Sequence, residues 1–291
     1  METLRIPVAD GIELAADTWA PRPGTAGPNA APFVLVHGLA SNARTWDGVA
    51  ARLTARGHTA VTVDLRGHGR SSKPEGPYDV PVVADDVARL IEAIGLDRPI
   101  VAGQSWGGNV VLELAARHPA GIRGIACVDG GWLEPSAAFE SWEACRQVLA
   151  PPLLAGRSFG DIEGYIRGAH PDWPETGIAG TLANFEVRAD GTIAPWLTFE
   201  RHIAVLRGLW EHRPTERYAS VTVPVLLVPA EAGSAAMDER LGRKRDDVDR
   251  ALAALPDARA HWMHGDHDIH AQQPDELADV MIEQLAGGVR A

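Results

Sequence analysis

The chain alternates between two hydrophobic patterns along most of its length. Short apolar runs rich in β-branched residues are separated by longer stretches in which apolar residues recur every three or four positions. The short runs are "APFVLVHG", "HTAVTVDLRG", "RPIVAGQS" and "IRGIACVDGG". The first pattern predicts buried strands, and the second predicts helices that cover them. Their alternation predicts an α/β fold, in which helices flank a mostly parallel central sheet.

The pattern changes after the fourth of these runs. From residue 132 to residue 219 the segments are helical in period, rich in tryptophan and separated by proline and glycine. The alternation of strand and helix returns with "VTVPVLLVPA" and ends with the helical "PDELADVMIEQLAGG". We therefore expect a core domain made of residues 1–131 and 220–291, into which residues 132–219 insert a helical cap.

Residues 1–19 alternate apolar and polar side chains, which predicts a hairpin at the edge of the sheet. They contain neither the basic segment nor the apolar core of a signal peptide. No apolar run in the chain approaches the roughly 20 residues that cross a bilayer. We expect a cytoplasmic protein.

Composition and charge exclude several classes of partner. The chain has 291 residues, of which 45% are hydrophobic, and a formal net charge of -12. This charge would repel nucleic acid and anionic lipid, so we expect neither a nucleic-acid nor a membrane partner. The two cysteines, Cys127 and Cys145, show no metal-ligand spacing, and we expect no metal and no other cofactor. Composition leaves open whether the protein is a homo-oligomer.

A candidate nucleophile stands in "IVAGQSWGGNVVLELAARHP". Residues 103–107 fit the pattern G-x-S-x-G around Ser105, after a predicted strand and before a predicted helix. In this context the turn lifts a serine above the end of the strand. The helix that follows supplies unpaired N–H groups and a positive dipole end, where an oxyanion can be stabilised. We predict that Ser105 is a nucleophile.

A serine hydroxyl needs a histidine to accept its proton and a carboxylate to orient that histidine. The segment "HGDHDIHAQQP" follows the last predicted strand and offers His264, His267 and His270. At most one of the three can be the base, and their positions alone leave the choice open.

Four separated motifs resemble those of the α/β-hydrolase-fold superfamily, as in a serine hydrolase or esterase-like member with a helical cap. They are "VLVHGLASNARTW", "VTVDLRGHGRSS", "VAGQSWGG" and "GDHDIHAQQP". In this family the catalytic histidine typically stands seven residues before a proline that opens the last helix. Counted back from Pro274, the resemblance implies that His267 is the base.

The resemblance also implies an oxyanion hole and substrate contacts. The backbone N–H groups of Leu39 and Trp106 are the expected oxyanion donors. His37 and Gly38, which match the family's histidine-glycine motif, and Trp132 at the start of the cap are expected to contact the substrate.

The acid departs from the family's usual position, which falls on Gly233. Two carboxylates could replace it. Asp129 ends the strand before the cap, where relatives resembling haloalkane dehalogenases and certain lactonases carry their acid. Glu231 lies two positions before Gly233 and would need a shifted loop. We favour Asp129.

A serine nucleophile excludes the alkyl-ester chemistry of dehalogenases and epoxide hydrolases, which use an aspartate. Acyl transfer to water through an acyl-Ser105 intermediate is the expected reaction, on a carboxylic ester, lactone or thioester. Tryptophans of the cap favour a largely apolar small molecule as substrate; they are Trp132, Trp142, Trp173, Trp196 and Trp210. Two alternatives stay open: hydrolysis of a C–C bond in a β-diketone-like substrate, and a non-catalytic small-molecule receptor of the same fold.

Overall fold

An eight-stranded sheet forms the centre of the protein in a computed structural model, which describes residues 1–21, 23–25, 27, 30–231 and 238–287. The strands of the protein are, in chain order, β1 (Glu2–Ala9), β2 (Ile12–Trp19), β3 (Phe33–Val36), β4 (Ala60–Asp64), β5 (Ile100–Gln104), β6 (Gly124–Val128), β7 (Phe185–Val187), β8 (Ile193–Pro195), β9 (Val225–Val228), β10 (Ala230–Glu231), β11 (Ala258–Ala260) and β12 (Met263–His264). The central sheet has the order β1-β2-β4-β3-β5-β6-β9-β11. The pairs β1–β2 and β2–β4 are antiparallel, and all later pairs of this sheet are parallel. The predicted sheet and its edge hairpin are confirmed.

Helices cover both faces of the sheet. The α-helices are α1 (Asp47–Ala55), α2 (Val80–Ala93), α3 (Trp106–Arg117), α4 (Pro135–Ala138), α5 (Trp142–Leu149), α6 (Phe159–Ala169), α7 (Glu175–Leu182), α8 (Phe199–Glu211), α9 (Asp238–Ala254), α10 (Ile269–Gln272) and α11 (Pro274–Met281). Successive side chains of a strand point to opposite faces, and β3 shows the result. Val34 and Val36 pack in a cluster with residues of α2 and α3, whereas Phe33 and Leu35 pack in a second cluster with residues of α1 and α11. Since both faces are covered, the strand is apolar throughout.

The segment between β6 and β9 contributes no strand to the central sheet. It contains α4 to α8. A small hydrophobic cluster that includes Ile162, Ile166 and Trp173 of this segment also takes in Ala271 of α10. The segment also contains the antiparallel pair β7–β8, which its helical pattern did not predict. Each of these strands has only three residues, which is too short to show alternation, and Gly191 with φ 80° turns the chain between them.

Parallel strands bring several chain segments to one edge of the sheet. The turns after β3, β5, β6 and β9 all leave the carboxyl edge, where ligands of open α/β sheets bind. Leu39, Ser105 and Asp129 stand in or at these turns. Within the part of the chain that the structure describes, no helix is both long and apolar enough to cross a membrane.

Candidate active site

Ser105 occupies a strained turn between β5 and α3. Its backbone has φ 54° and ψ -120°, a region that residues with a side chain rarely adopt. The turn is held in place because the Ser105 N–H donates to the Val128 carbonyl oxygen at 2.9 Å, and its own carbonyl accepts from the Gly108 N–H at 2.9 Å. Neighbouring glycines make room for it: a Cβ on Gly130 would lie 2.9 Å from the Ser105 Cα. This is the backbone geometry of a nucleophile elbow.

Asp129 and His267 meet at the same edge of the sheet. Asp129 follows β6 with φ 43°, and its Oδ2 accepts a hydrogen bond of 2.6 Å from Nδ1 of His267. The carboxylate is 3% exposed, while the imidazole is 52% exposed, so its far side is open. Gln104, directly before Ser105, donates its side-chain amide to the His267 carbonyl oxygen at 3.1 Å. The histidine loop is therefore tied to the serine turn.

The charges of the pair shift both pKa values. Burial acts to raise the pKa of Asp129, but the hydrogen bond and charge of His267 and the charge of Lys244 outweigh it, and the pKa lies below its usual range. For His267, removal from water lowers the pKa. The hydrogen bond to Asp129 and the negative charges of Asp268 and Asp129 more than offset this, so the pKa is raised. The arrangement favours the ionised carboxylate and stabilises an imidazolium.

Lys244 is a third member of this group, and no motif in the sequence singles it out. Its Nζ lies 2.8 Å from Oδ1 and 3.0 Å from Oδ2 of Asp129, and it donates to the Ala230 carbonyl oxygen at 2.8 Å. The residue belongs to α9, whose run of charged residues is typical of a solvated helix face. A pattern of this kind cannot show which cation of the helix faces inward.

The other two histidines of the segment have different surroundings. His270 is buried, its ring centroid lies 4.6 Å from that of Trp46, and burial lowers its pKa to about 3. It is therefore neutral at physiological pH. His264 is exposed on β12. Among the described contacts of the three, the carboxylate partner belongs to His267, which is the histidine that the spacing from Pro274 selects.

Glu231 does not reach the histidine. It lies on β10, and its Oε1 accepts a hydrogen bond of 2.7 Å from Arg245 at the protein surface. Gly233, which takes the family's usual acid position, lies outside the described residues. The structure thus brings Asp129 to His267 and directs Glu231 to an arginine.

His37 and Trp132, which we predicted to contact the substrate, are both buried in the structure. His37 is fully buried and both ring nitrogens are occupied: Nε2 accepts from the Leu65 N–H at 3.0 Å, and Nδ1 lies 2.7 Å from the Gly38 carbonyl oxygen. Burial lowers its pKa to about 4, so it is a neutral structural group. Trp132 is 5% exposed and packs in the main core cluster. Burial of this kind cannot be read from a motif.

The residues of the expected oxyanion hole are close to Ser105. Gly38 is buried, and a Cβ there would lie 3.2 Å from the Ser105 Cβ, so the glycine permits close approach rather than offering a side chain. Leu39 follows it in the turn after β3. Trp106 is the first residue of α3, where N–H groups have no partner within the helix. Its side chain is fully buried and stacks on His68, with 5.5 Å between the ring centroids.

A mostly apolar cavity of about 440 Å³ lies between the turn after β3 and the segment that follows β6. Ala40 and Ser41 line it from the turn. The other walls come mainly from residues 151–155 and 184–199, and include Leu153, Leu154, Phe185, Trp196 and Phe199. The sequence pattern does not indicate these residues as a site. Only Trp196 was named beforehand, among the five tryptophans of the predicted cap.

The remaining tryptophans of this segment have packing contacts. The rings of Trp142 and Trp210 lie 6.0 Å apart, edge to face. The Trp173 ring is tilted by 33° against the ring of His170, with 3.9 Å between the centroids. Its Nε1 donates at 3.1 Å to Asp266, the residue before His267. Among the described residues, no group of three or more His, Cys, Asp or Glu side chains could hold a metal ion.

The fold and the serine turn define a class of protein. A family model described as "alpha/beta hydrolase fold" matches residues 31–155, which contain Ser105 and Asp129. The chain has the α/β-hydrolase fold, and its residues 31–155 resemble this family.

Individual relatives match over nearly the whole chain. A 2-(acetamidomethylene)succinate hydrolase from Mesorhizobium japonicum is 28% identical over 246 residues, or 84% of each chain. Among solved structures, the thioesterase domain from the curacin biosynthetic pathway has a TM-score of 0.74 at 21% identity, over 97% of this chain and 99% of that one. The enol-lactonase from Burkholderia xenovorans LB400 has a TM-score of 0.68 at 19% identity, over 96% and 99%. The structural likenesses show the fold.

Proposed function

We propose that the protein is a serine hydrolase that cleaves a carboxylic ester, lactone or thioester through an acyl-Ser105 intermediate. The observation that carries this proposal is the 2.6 Å hydrogen bond between His267 and Asp129, at the same edge of the sheet as the strained Ser105. A buried carboxylate paired with a half-exposed imidazole beside an elbow serine is the arrangement that acyl transfer requires. The relative from Mesorhizobium japonicum, which is named a hydrolase, supports the same broad reaction class.

Each group has one role in the proposed reaction. Since an ionised carboxylate has no proton, Nδ1 of His267 carries the hydrogen of the bond to Asp129, and Nε2 is left to accept the Ser105 proton. Ser105 Oγ attacks the carbonyl carbon, and the imidazolium then donates its proton to the leaving group. The N–H groups of Leu39 and Trp106 stabilise the oxyanion. A water activated by His267 releases the acyl group and restores the serine.

The proposed substrate is a largely apolar small molecule. The cavity of about 440 Å³ supports this choice because its walls are mainly aliphatic and aromatic side chains. It opens beside Ala40 and Ser41, one and two residues after the proposed oxyanion donor Leu39. We further propose that residues 132–219 act as a lid on a core made of residues 1–131 and 220–291, with Phe185, Trp196 and Phe199 facing the bound molecule.

The test combines one substitution with a covalent probe. Ser105→Ala should lower kcat on the order of 10⁴-fold or more, because the nucleophile is lost. It should also abolish labelling by an active-site-directed organophosphonate, followed by mass spectrometry of the intact protein. The substrate for these measurements is chosen by a screen of the purified protein against short-chain and long-chain acyl nitrophenyl esters, lactones and acyl thioesters.

Ser220→Ala is the matched control, since Ser220 is an exposed serine far along the chain from the turn. It should be labelled and should turn over substrate as the unchanged protein does. Labelling of the Ser105→Ala protein at the original rate would overturn the proposal.

A further inference from the structure

Lys244 and His267 share a single carboxylate. The Lys244 ammonium group has three protons, and three acceptors surround it: Oδ1 and Oδ2 of Asp129 and the carbonyl oxygen of Ala230. Oδ1 also accepts from the Ala230 N–H at 3.0 Å, while Oδ2 also accepts from His267. Asp129 is thus held at both oxygens, with the plane of its carboxylate fixed toward the imidazole.

The lysine differs from Arg245, its neighbour on the same helix. Lysine is rare in this chain: of its 27 lysine and arginine residues, 25 are arginine and two, Lys73 and Lys244, are lysine. The next residue, Arg245, is 55% exposed and pairs with Glu231 at the surface, whereas the Lys244 side chain is 27% exposed and turns to the buried carboxylate. A compact ammonium with three divergent donors fits these three acceptors, which a planar guanidinium would not match.

The positive charge of Lys244 opposes protonation of the histidine. When His267 becomes an imidazolium, two cations flank Asp129, and their mutual repulsion offsets part of the attraction that the carboxylate exerts. We propose that Lys244 is a positioning residue that orients Asp129 and sets the pH at which His267 becomes available as a base. This inference rests on the proposed function for its catalytic meaning.

Several titratable groups lie around His267. Asp129 faces it from the end of β6 and Lys244 from α9, while Asp266, Asp268 and His270 belong to its own segment. Asp129 and Asp268 raise the pKa of His267, and Lys244 lowers it. Without Lys244 the two carboxylates would act unopposed, so the histidine would hold its proton to higher pH.

The experiment removes the charge and measures the histidine directly. In Lys244→Met and in Lys244→Gln, the pKa of His267 should rise by about one to two pH units, the size expected for two unit charges roughly 5–6 Å apart in a partly solvated site. It is read from the imidazole signals in an NMR titration. The acidic limb of the kcat/KM profile should move to higher pH by the same amount. Lys244→Gln keeps a hydrogen-bonding side chain, which guards against loss of the fold.

Two further variants separate charge from packing. Lys244→Arg keeps the charge and should move the pKa by less than about half a unit. Arg245→Met removes one positive charge from the adjacent position and should leave both the titration and the pH profile in place. An unchanged pKa of His267 in Lys244→Met and Lys244→Gln, with only a lower melting temperature, would overturn the proposal and leave Lys244 as a tether of α9. Because the NMR titration needs no turnover, this result is independent of whether Ser105 proves to be the nucleophile.

Discussion

Single contacts distinguish the two candidate acids. Asp129 and Glu231 both stand near the carboxyl edge of the sheet, yet one carboxylate meets an imidazole at 2.6 Å and the other meets an exposed arginine at 2.7 Å. An ion pair at the surface contributes little, because water and salt screen it. A buried carboxylate that receives an imidazole N–H fixes both the tautomer and the orientation of the ring. The two residues should therefore respond very differently to the same substitution.

We expect Asp129→Asn to lower kcat on the order of 10⁴-fold, the size that loss of the triad carboxylate has in serine proteases, because the amide lacks the charge and can favour the wrong tautomer. Glu231→Gln should cost no more than about tenfold. Steady-state kinetics with the best substrate of the screen measures both values. Circular dichroism checks the fold of Asp129→Asn, since Lys244 loses its counter-charge there. A larger loss in Glu231→Gln than in Asp129→Asn would contradict the assignment.

The sequence predicts the buried strands and the helices, but it does not predict the short pair β7–β8 or the surroundings of individual side chains. The buried strands are predictable because short apolar runs rich in β-branched residues are typical of strands covered on both faces. The helices are predictable because their apolar positions recur with the helical period. The β7–β8 pair is not predictable, because a strand of three residues is too short to show a hydrophobic period. Side-chain environments were harder still. The motif containing His37 indicated a site, but only the fold shows that both of its nitrogens bond to backbone, and only the fold turns Lys244 inward.

The junction of β5 and α3 depends on the absence of side chains. A Cβ on Gly107 would overlap the carbonyl oxygen of His37 and lie 2.7 Å from that of Val36, so the first turn of α3 packs directly against the end of β3. These are backbone atoms of the sheet and cannot move aside. The helix and the turn that holds Leu39 are thereby fixed relative to each other.

Gly107→Ala should destabilise the protein by about 1–3 kcal/mol, because the added methyl group overpacks this contact. Activity should fall as well, since the turn beside Ser105 must shift. Gly164 in α6 is the control: it has open space around it, and Gly164→Ala should be neutral or stabilising by up to about 1 kcal/mol. Urea denaturation of the three proteins measures the difference. Equal stability of Gly107→Ala and the unchanged protein would contradict this prediction, because it would show that the backbone at the end of β3 can move to admit the methyl group.

A buried polar network joins the segment after β6 to the core. The side-chain oxygen of Asn109, on α3, accepts a hydrogen bond of 3.0 Å from the Gly131 N–H. Its side-chain nitrogen lies 3.1 Å from Nδ1 of His212, which follows the last residue of α8. Nε2 of His212 lies 3.2 Å from Glu113 on the same face of α3, and both side chains are almost fully buried. The network links both ends of the proposed lid to the helix that follows Ser105. Its loss should weaken the whole protein rather than the site alone.

The pH dependence of stability tests this network. Burial acts to raise the pKa of Glu113, but the hydrogen bond and charge of His212 and the charge of Arg217 hold it below its ordinary value of 4.5. A carboxyl whose pKa is lower in the folded state stabilises the protein above its unfolded-state pKa, and this contribution is lost as the pH falls through the folded-state pKa.

Glu113→Gln should therefore lower the free energy of unfolding by about 2 kcal/mol at pH 7, since a buried charged partner is removed. The difference from the unchanged protein should begin to shrink below about pH 4.5, the ordinary pKa of a glutamate in the unfolded chain, and should be lost as the pH falls through the lower pKa of Glu113 in the folded protein. Denaturation curves at pH 7 and pH 4 measure both values. Glu186→Gln, at an exposed position on β7, should be neutral at both. A difference that is the same at both pH values would show that the ionised form of Glu113 has no special part.

The bond between Asp129 and His267 spans 138 residues of the chain, and this separation has a consequence for biosynthesis. A ribosome adds roughly 5–20 residues per second, so the serine and the acid leave it on the order of ten seconds before the histidine. During that interval the serine hydroxyl has no base to accept its proton and is a poor nucleophile. Under the proposed roles, the nascent chain is chemically inert, and reactivity begins only when the last strands join the sheet and bring the histidine with them.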